Sequence, residues 1–288
     1  MEIVCAAKAD NILGEGPLWD AARGRMCWVD IRRSTMHWLE HGNGRTGAWQ
    51  LRSRVSAMAM RKGGELLLAT EHGFATFNPD TAKMELVHHP EPDRKWNRPN
   101  DGHSDAKGRF WVGTMDDRQK TRSGAVYRLD PDWSCTRVLD GLGIPNTVLL
   151  TPDCRQFYLA DSRENELYRF DVDSSGTLGE RRTFAATKMG NATPDGSALD
   201  VQGYLWNAQW GGWRVVRYAP DGSVDKIVRM PVEQPTSCAF GGDDLTTLYV
   251  TSARDGLSPE ALEGQPLAGS LFAFRPGVKG APIVPFGG

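Results

Sequence analysis

One pattern recurs six times along the chain and constrains its fold more than any other feature. A short pair, apolar then aromatic or apolar, appears as Cys27-Trp28, Leu66-Leu67, Phe110-Trp111, Phe157-Tyr158, Leu205-Trp206 and Leu248-Tyr249. Counted from the second residue of each pair, successive anchors lie 39, 44, 47, 48 and 43 residues apart. Before most anchors stands a turn rich in Gly, Asp and Pro (DAARGR, RKGG, DAKGR, TPDCRQ, DVQGY, GGDDLT), residues that supply the positive or fixed φ a tight hairpin needs. After most anchors a second alternating stretch follows: TMHWLE, GFATFNPD, GAVYRLDPD, ELYRFDVD, VVRYAPDG and SLFAFRPG. Period-two alternation over five or six residues is the mark of a half-buried strand.

Six units of this size, each built of short strands with almost no amphipathic helical stretch, predict an all-β chain folded as a six-bladed β-propeller with four antiparallel strands per blade. Closing the blades radially also removes the exposed edges that so much β-structure would create. The competing architecture, a pair of β-sandwiches, does not require turn and anchor to keep one register six times. The expectation is a single domain over residues 1–288. EIVCAA near the N-terminus and APIVPF near the C-terminus are both strand-like, and one is expected to complete the other's blade.

Composition narrows the function classes. With 34 Lys and Arg against 36 Asp and Glu the net charge is −2, which speaks against a dedicated nucleic-acid binder. No apolar run approaches the roughly 18 residues of a membrane helix. The first residues show no basic stretch followed by an apolar one, so no secretory signal is expected and the location expected is cytoplasmic. The five cysteines (Cys5, Cys27, Cys135, Cys154, Cys238) have no CxxC pairing, and several lie in apolar runs where a thiol packs as a small core residue, so no disulfide is expected. A monomer is the expected state, because closed propellers expose little edge.

The segments 11 to 13 residues before each anchor are expected to be the innermost strands, and they begin at Glu15, Ser56, Asn100, Asn146, Asp195 and Ser237. Four of the six carry a carboxylate or carboxamide, and repeat position would turn Glu15, Asn100, Asn146 and Asp195 toward one axis. Converging hard oxygen donors attract a divalent cation. The spacing alone is equally consistent with turn formers at strand starts.

In LGEGPLWD (13–20), NRPNDGHSDAKGRFWVGTM (97–115), PDCRQFYLADS (152–162), PDGSALDVQGYLWNAQWGG (194–212) and SCAFGGDDLTTLYVTSARDG (237–256), the chain resembles the senescence marker protein (regucalcin)/gluconolactonase family of six-bladed propellers. The resemblance spans nearly the whole chain. It implies one divalent metal ion in a central metal site, held by Glu15, Asn146 and Asp195, with Arg98 and Asn100 binding substrate hydroxyls. It also implies hydrolysis of a sugar lactone to the aldonic acid. In that chemistry the metal would polarise the carbonyl and Asp195 would act as general base toward the attacking water. The oxygen ligand set favours Ca²⁺, Mg²⁺, Mn²⁺ or Fe²⁺ over a thiolate-selected site and speaks against a three-His zinc site, which leaves Ca, Mn, Fe, Mg or Zn as the expected ion. No His enters the set: His88 and His89 are adjacent, and His103 stands alone.

The chain departs from the family where Thr147 follows Asn146, a place where the family often has Gly. After Gly113-Thr114-Met115 the family's lid varies, and here it reads DDRQKTRSG, in which Asp116, Asp117 or Arg118 would reach a substrate or simply be solvated. Trp96, Trp210 and Trp213 are candidate sugar-stacking faces. Gly42–Gly47 satisfies GxGxxG but runs into a strand-like AWQLRSRV, which makes it a hairpin turn and not a dinucleotide site. Two other functions compete with the lactonase: hydrolysis of another ester or an organophosphate at the same metal, and a non-catalytic calcium-binding propeller.

Overall fold

A computed structural model describes residues 1–187 and 190–288. After β1 (Val4–Ala7), strands come in sets of four. The first set is β2 (Gly14–Asp20), β3 (Arg25–Asp30), β4 (Thr35–Glu40) and β5 (Thr46–Gln50), and the second β6 (Val55–Met60), β7 (Leu66–Thr70), β8 (Gly73–Asn78) and β9 (Lys83–His88). The third is β10 (Asn97–Ser104), β11 (Phe110–Asp116), β12 (Gly124–Leu129) and β13 (Cys135–Leu142). The fourth is β14 (Pro145–Leu150), β15 (Gln156–Asp161), β16 (Glu166–Asp171) and β17 (Arg182–Ala186). The fifth is β18 (Thr193–Leu199), β19 (Leu205–Trp210), β20 (Arg214–Tyr218) and β21 (Val224–Arg229). The last is β22 (Pro235–Gly241), β23 (Thr247–Ser252) and β24 (Leu271–Phe274), with a short helix, α1 (Pro259–Gly264), between β23 and β24. Each set is one antiparallel four-stranded sheet in chain order, the blade of a propeller, and the sixth sheet takes β1 as its fourth strand. Every anchor pair lies in the second strand of its blade.

The closing strand comes from one end only. β1 pairs antiparallel with β24, Val4 opposite Ala273 and Cys5 opposite Phe272. The segment APIVPF does not form a strand. Pro282 and Pro285 have no N–H to give a ladder. Only one bridge forms there, between Arg61 and Phe286, whose buried ring meets Trp133 edge-on.

The chain divides into two compact units. One comprises Met1–Arg54 and Lys188–Ala281 and holds the first, fifth and sixth blades; the other comprises Val55–Thr187 and Pro282–Gly288 and holds the second, third and fourth. Within the first unit β22 packs beside both β2 and β18, and within the second β10 packs beside both β6 and β14. The first strand of each blade is therefore the one laid against its neighbours. Blade faces supply the cores. Trp206 and Val215 of the fifth blade meet Phe240, Val250 and Phe272 of the sixth. Trp111 and Val126 of the third meet Phe157, Leu159 and Phe170 of the fourth. Each such fully buried side chain contributes about 2–3 kcal/mol by leaving water.

In the third and fifth blades the turn is tied to the anchor by one carboxylate. In Asp105-Ala-Lys-Gly-Arg-Phe-Trp111, Asp105 Oδ1 accepts the backbone N–H groups of Lys107 and Arg109, while Oδ2 accepts the Trp111 indole at 2.8 Å and Arg109 Nε at 2.6 Å. Asp200-Val-Gln-Gly-Tyr-Leu-Trp206 repeats the device: Oδ1 accepts from Gln202 and Tyr204, and Oδ2 from the Trp206 indole at 3.0 Å. An Asp six residues before a Trp thus folds the hairpin and satisfies a buried indole at once. Gly42, Asn43 and Gly44 make the turn from β4 into β5, so the GxGxxG stretch is the hairpin turn that the sequence predicts. Among the described residues all five cysteines are free thiols, and no helix is long and apolar enough to cross a membrane.

Candidate functional site

The six positions singled out by the repeat share a structural cause. In every blade the first strand carries a β-bulge that adds one residue relative to the second strand, and the position falls at that bulge. Glu15 faces Val29 while Leu18 faces Cys27, and Asn146 faces Ala160 while Leu149 faces Tyr158. The same slip lies between Pro99 and Gly102, around Asn100, between Pro194 and Ser197, around Asp195, between Val55 and Ala57, beside Ser56, and between Pro235 and Cys238, around Ser237. A bulge bends the strand and re-aims one side chain out of the alternation. Pro99, Pro145 and Pro194 stand just before three of these residues, where the strand starts and a missing N–H is tolerated.

In the unit of the second to fourth blades, three of the expected residues come together. Arg98 donates through Nη1 to Asn100 Oδ1 at 3.0 Å. Asn100 Nδ2 donates to Asn146 Oδ1 at 2.9 Å and to the Pro145 carbonyl at 3.1 Å. Asn146 Nδ2 in turn donates to Ser162 Oγ at 2.8 Å. The relay fixes which way the Asn146 carboxamide points, with its oxygen on the Asn100 side and one lone pair left to that atom's chemistry. Asp117 closes the other end: its Oδ1 takes Arg98 Nε at 2.7 Å, compensating a guanidinium that is only 5% exposed. Next to Arg98, Asn97 is tied to Glu91 and to the Ser123 carbonyl, and burial pushes the Glu91 carboxyl above its ordinary range.

The lid after Met115 is held rigidly by Asp116. This buried carboxylate accepts Arg118 Nε at 3.0 Å, Thr121 Oγ1 at 2.9 Å, and the backbone N–H groups of Arg118, Lys120 and Thr121. Asp116 is thus a structural clamp and Asp117 the partner of Arg98. Arg118 lies 4.3 Å over the ring of Trp96, which Lys95 approaches at 5.0 Å. Trp96 and Trp213 are exposed, and Trp210 is half-buried. His103 is half-buried on β10, its pKa lowered by burial.

In the unit of the first, fifth and sixth blades, Glu15 and Asp195 occupy equivalent bulges and are 8% and 6% exposed. Gly16 takes φ 53° after Glu15, and one Glu15 oxygen accepts its N–H at 3.2 Å. Thr147 takes the same φ of 53° after Asn146. A β-branched residue there is strained by roughly 1–3 kcal/mol, where the family's frequent Gly would not be. The Asp195 carbonyl accepts Asn207 Nδ2 at 2.9 Å, and the same amide reaches Ser197 Oγ at 3.0 Å.

By side-chain chemistry Glu15, Asn146 and Asp195 are each a donor type that a hard divalent cation accepts. Two are carboxylates held nearly out of water, a costly placement unless each is paired or ligating, and the third offers an oriented carboxamide oxygen. Among the described residues no three His, Cys, Asp or Glu side chains form a metal cluster, in keeping with a set containing only two such residues. Sequence reasoning missed Ser162, whose only signal was its place in the turn just after β15, and left the role of Asp117 open.

Comparison with known proteins agrees with this architecture. The chain is 34% identical to regucalcin of Gallus gallus, covering 100% of this chain and 99% of that protein. It is 32% identical to 6-deoxy-6-sulfogluconolactonase of Pseudomonas putida, covering 96% and 95%. Among solved structures, a calcium-binding protein, regucalcin, from Agrobacterium tumefaciens superposes with a TM-score of 0.93 at 31% identity, covering 98% of this chain and 96% of that one. The fold class is the six-bladed β-propeller that the repeat predicts. Residues 13–254 match the model of the SMP-30/Gluconolactonase/LRE-like region, and the chain belongs to that family.

Proposed function

We propose that this protein is a sugar-lactone hydrolase that opens an aldonolactone to its aldonic acid with the help of one divalent cation. Supporting the class of substrate are the family and a full-length relative named for a gluconolactone. The observation that carries the reading to this chain is the Arg98–Asn100–Asn146 relay. A protein that only stored a cation would have no use for a buried, carboxylate-compensated guanidinium bonded to the neighbour of a cation ligand.

In this reading Glu15, Asn146 and Asp195 hold the cation. When bound, it would act as a Lewis acid toward the lactone carbonyl and the charge that develops on its oxygen. Arg98 and Asn100 orient the substrate: the guanidinium offers only donors, whereas the carboxamide both donates and accepts, so together they suit a sugar's hydroxyls. Asp195 takes the proton from the attacking water. The hydroxide adds to the carbonyl carbon, the ring C–O bond breaks, and the proton is returned to the departing ring oxygen. Asp117 holds Arg98 in place throughout. The same residues would serve a related ester, and the identity of the leaving group is set by the substrate pocket. The five free thiols suit a reducing, cytoplasmic location, and a monomer suffices because every proposed residue comes from one chain.

The experiment is proton release by chelator-stripped protein against a panel of 1,4- and 1,5-aldonolactones, with Ca²⁺, Mn²⁺, Fe²⁺, Mg²⁺ and Zn²⁺ added back singly. Metal-restored turnover of one or two lactones that disappears in Asp195→Ala is the expected result. No metal-restored turnover of any lactone overturns the reading. A second reading, a non-catalytic calcium-binding propeller, draws on the regucalcin structure, which is of a calcium-binding protein. Arg98→Ala separates the two: a hydrolase loses turnover and keeps its cation.

A further inference from the structure

The residue that follows each anchor is Val29, Leu68, Val112, Leu159 and Val250 in five blades, all buried. In the fifth it is Asn207, and it too is buried at 0% exposure. A carboxamide therefore replaces a branched aliphatic side chain at one of six equivalent core positions, and that blade is the one bearing Asp195. Burying an amide where its neighbours bury hydrocarbon is costly unless its polar atoms are used. Here the use is specific. Asn207 lies on β19 opposite Ser197, the first residue after the bulge. Its Nδ2 spans back across the bulge to the Asp195 carbonyl at 2.9 Å and to Ser197 Oγ at 3.0 Å.

A bulge leaves backbone groups that the ladder does not satisfy, and it bends the strand and increases its local twist. On β18 the bulge residue after Asp195 is Gly196, which offers no side chain to fix it. A Cβ there would fall 2.1 Å from Ser237 Oγ, so the approach of β22 requires Gly at that position and the rigidity must come from elsewhere. From these contacts we infer that Asn207 is a positioning residue: it supplies the missing ladder bond and fixes the backbone that aims the Asp195 carboxylate. The inference rests on the proposed role of Asp195 and deepens it. In this role Asn207 acts through the backbone of β18 and not as a ligand of cation or substrate.

The test compares Asn207→Val, which restores the residue type of the other blades, with Asn207→Thr, nearly the same shape but with a hydroxyl donor. Affinity for Mn²⁺ and for Ca²⁺ is measured by calorimetry on the full-length protein. Steady-state kinetics use a lactone that the wild type hydrolyses, and circular dichroism reports the fold. The expected result for Asn207→Val is about tenfold weaker cation binding and about tenfold lower kcat, with KM within twofold of wild type. Asn207→Thr recovers part of both. A merely structural Asn would lower the melting temperature and leave affinity and kcat per folded molecule intact. Wild-type affinity and kcat in Asn207→Val overturn the inference and leave the hydrolase reading standing. A wild-type protein that neither binds a divalent cation nor turns over any lactone overturns both. Should Asn207→Val fail to fold, Asn207→Ser takes its place with the same two outcomes.

Discussion

Asn100 donates its amide to the carboxamide oxygen of Asn146 across 2.9 Å, so a residue proposed to bind substrate is bonded to one proposed to hold the cation. The two lie on the first strands of the third and fourth blades, each at its strand's bulge, and the bulges bring them within reach. Because one amide serves both ends, substitutions along this relay separate binding from chemistry.

Arg98 is linked to Asn146 through Asn100, so Arg98→Ala should leave cation affinity within about twofold while lowering kcat/KM by about 100-fold, the usual cost of one transition-state donor. Asn100→Ala removes the substrate contact and the Asn146 lock together. It lowers kcat/KM by a similar factor and weakens the cation about fivefold, the equivalent of one neutral hydrogen bond. Calorimetric affinities beside initial rates check both. Equal cation affinities in the two variants would show that the Asn100–Asn146 bond orients nothing.

Asp117 compensates a nearly buried Arg98, while its own carboxylate is about a quarter exposed. Asp117→Asn leaves that guanidinium with a neutral partner, a loss of about 2 kcal/mol. For a chain of this size the melting temperature falls by about 4–8 °C. KM for the lactone also rises, since Arg98 is freed to move. A thermal melt and a Michaelis plot suffice, and a normal KM would detach Asp117 from substrate orientation.

Much of this is legible in the residues themselves, and the reasons differ from place to place. The anchors and the Asp-to-Trp spacing of six are local signals, because hairpin and indole partner lie within one turn of chain. Glu15, Asn100, Asn146 and Asp195 stand out because a repeat makes distant positions comparable, while the ligand set proposed from three of them rests on the family resemblance. Asn207 is equally visible by that logic, as the one polar residue after an anchor, but it carries no chemical motif of its own. Asp117 and Ser162 meet their partners 19 and 16 residues away through a hairpin register that side-chain types do not encode. The strand-like look of APIVPF misleads because period-two alternation weighs side chains and ignores the two prolines that cannot donate.

The lid clamp has a pH signature. Hydrogen bonds from Arg118 first, then from Thr121 and the loop backbone, hold the Asp116 carboxyl far below its ordinary value of 3.8. A depressed folded-state pKa means the contribution is complete above 3.8 and is lost as the pH falls below it toward the folded value. Wild-type protein therefore loses stability in that acid range, and Asp116→Asn, already without the charge, loses less there while being less stable at neutral pH. Melting temperatures from about pH 7 down to about pH 2 give the comparison. Parallel curves for the two proteins would exclude Asp116 as the source.

Gly16 and Thr147 share a φ of 53° beside Glu15 and Asn146, and they make opposite predictions. Gly16→Ala forces a Cβ into the left-handed region and costs about 1–2 kcal/mol. Thr147 already bears that cost, so Thr147→Asn, similar in volume and more tolerant of positive φ, loses nothing through the backbone. Urea unfolding of the two variants should show Gly16→Ala destabilised and Thr147→Asn at or above wild type. A destabilised Thr147→Asn would mean that the packing of the buried threonine outweighs its strain.

Removing the proposed cation should cost stability as well as turnover. A ligand that binds only the folded chain stabilises it by about 2.7 kcal/mol at a hundredfold excess over its Kd. At this chain length that is a rise of about 5–10 °C in melting temperature. The shift should vanish in Asp195→Asn and in Glu15→Gln, because each removes one formal charge from a set that has only two. It should survive in Arg98→Ala, because Arg98 is proposed to bind substrate and is not one of the three proposed oxygen donors. The ordering across Ca²⁺, Mn²⁺, Mg²⁺ and Zn²⁺ then reads out the site's chemistry: an all-oxygen set without His or Cys gains least from the preference of Zn²⁺ for nitrogen and sulfur. Equal shifts in wild type and Asp195→Asn would place the cation elsewhere on the molecule and remove the ground for Asp195 as base.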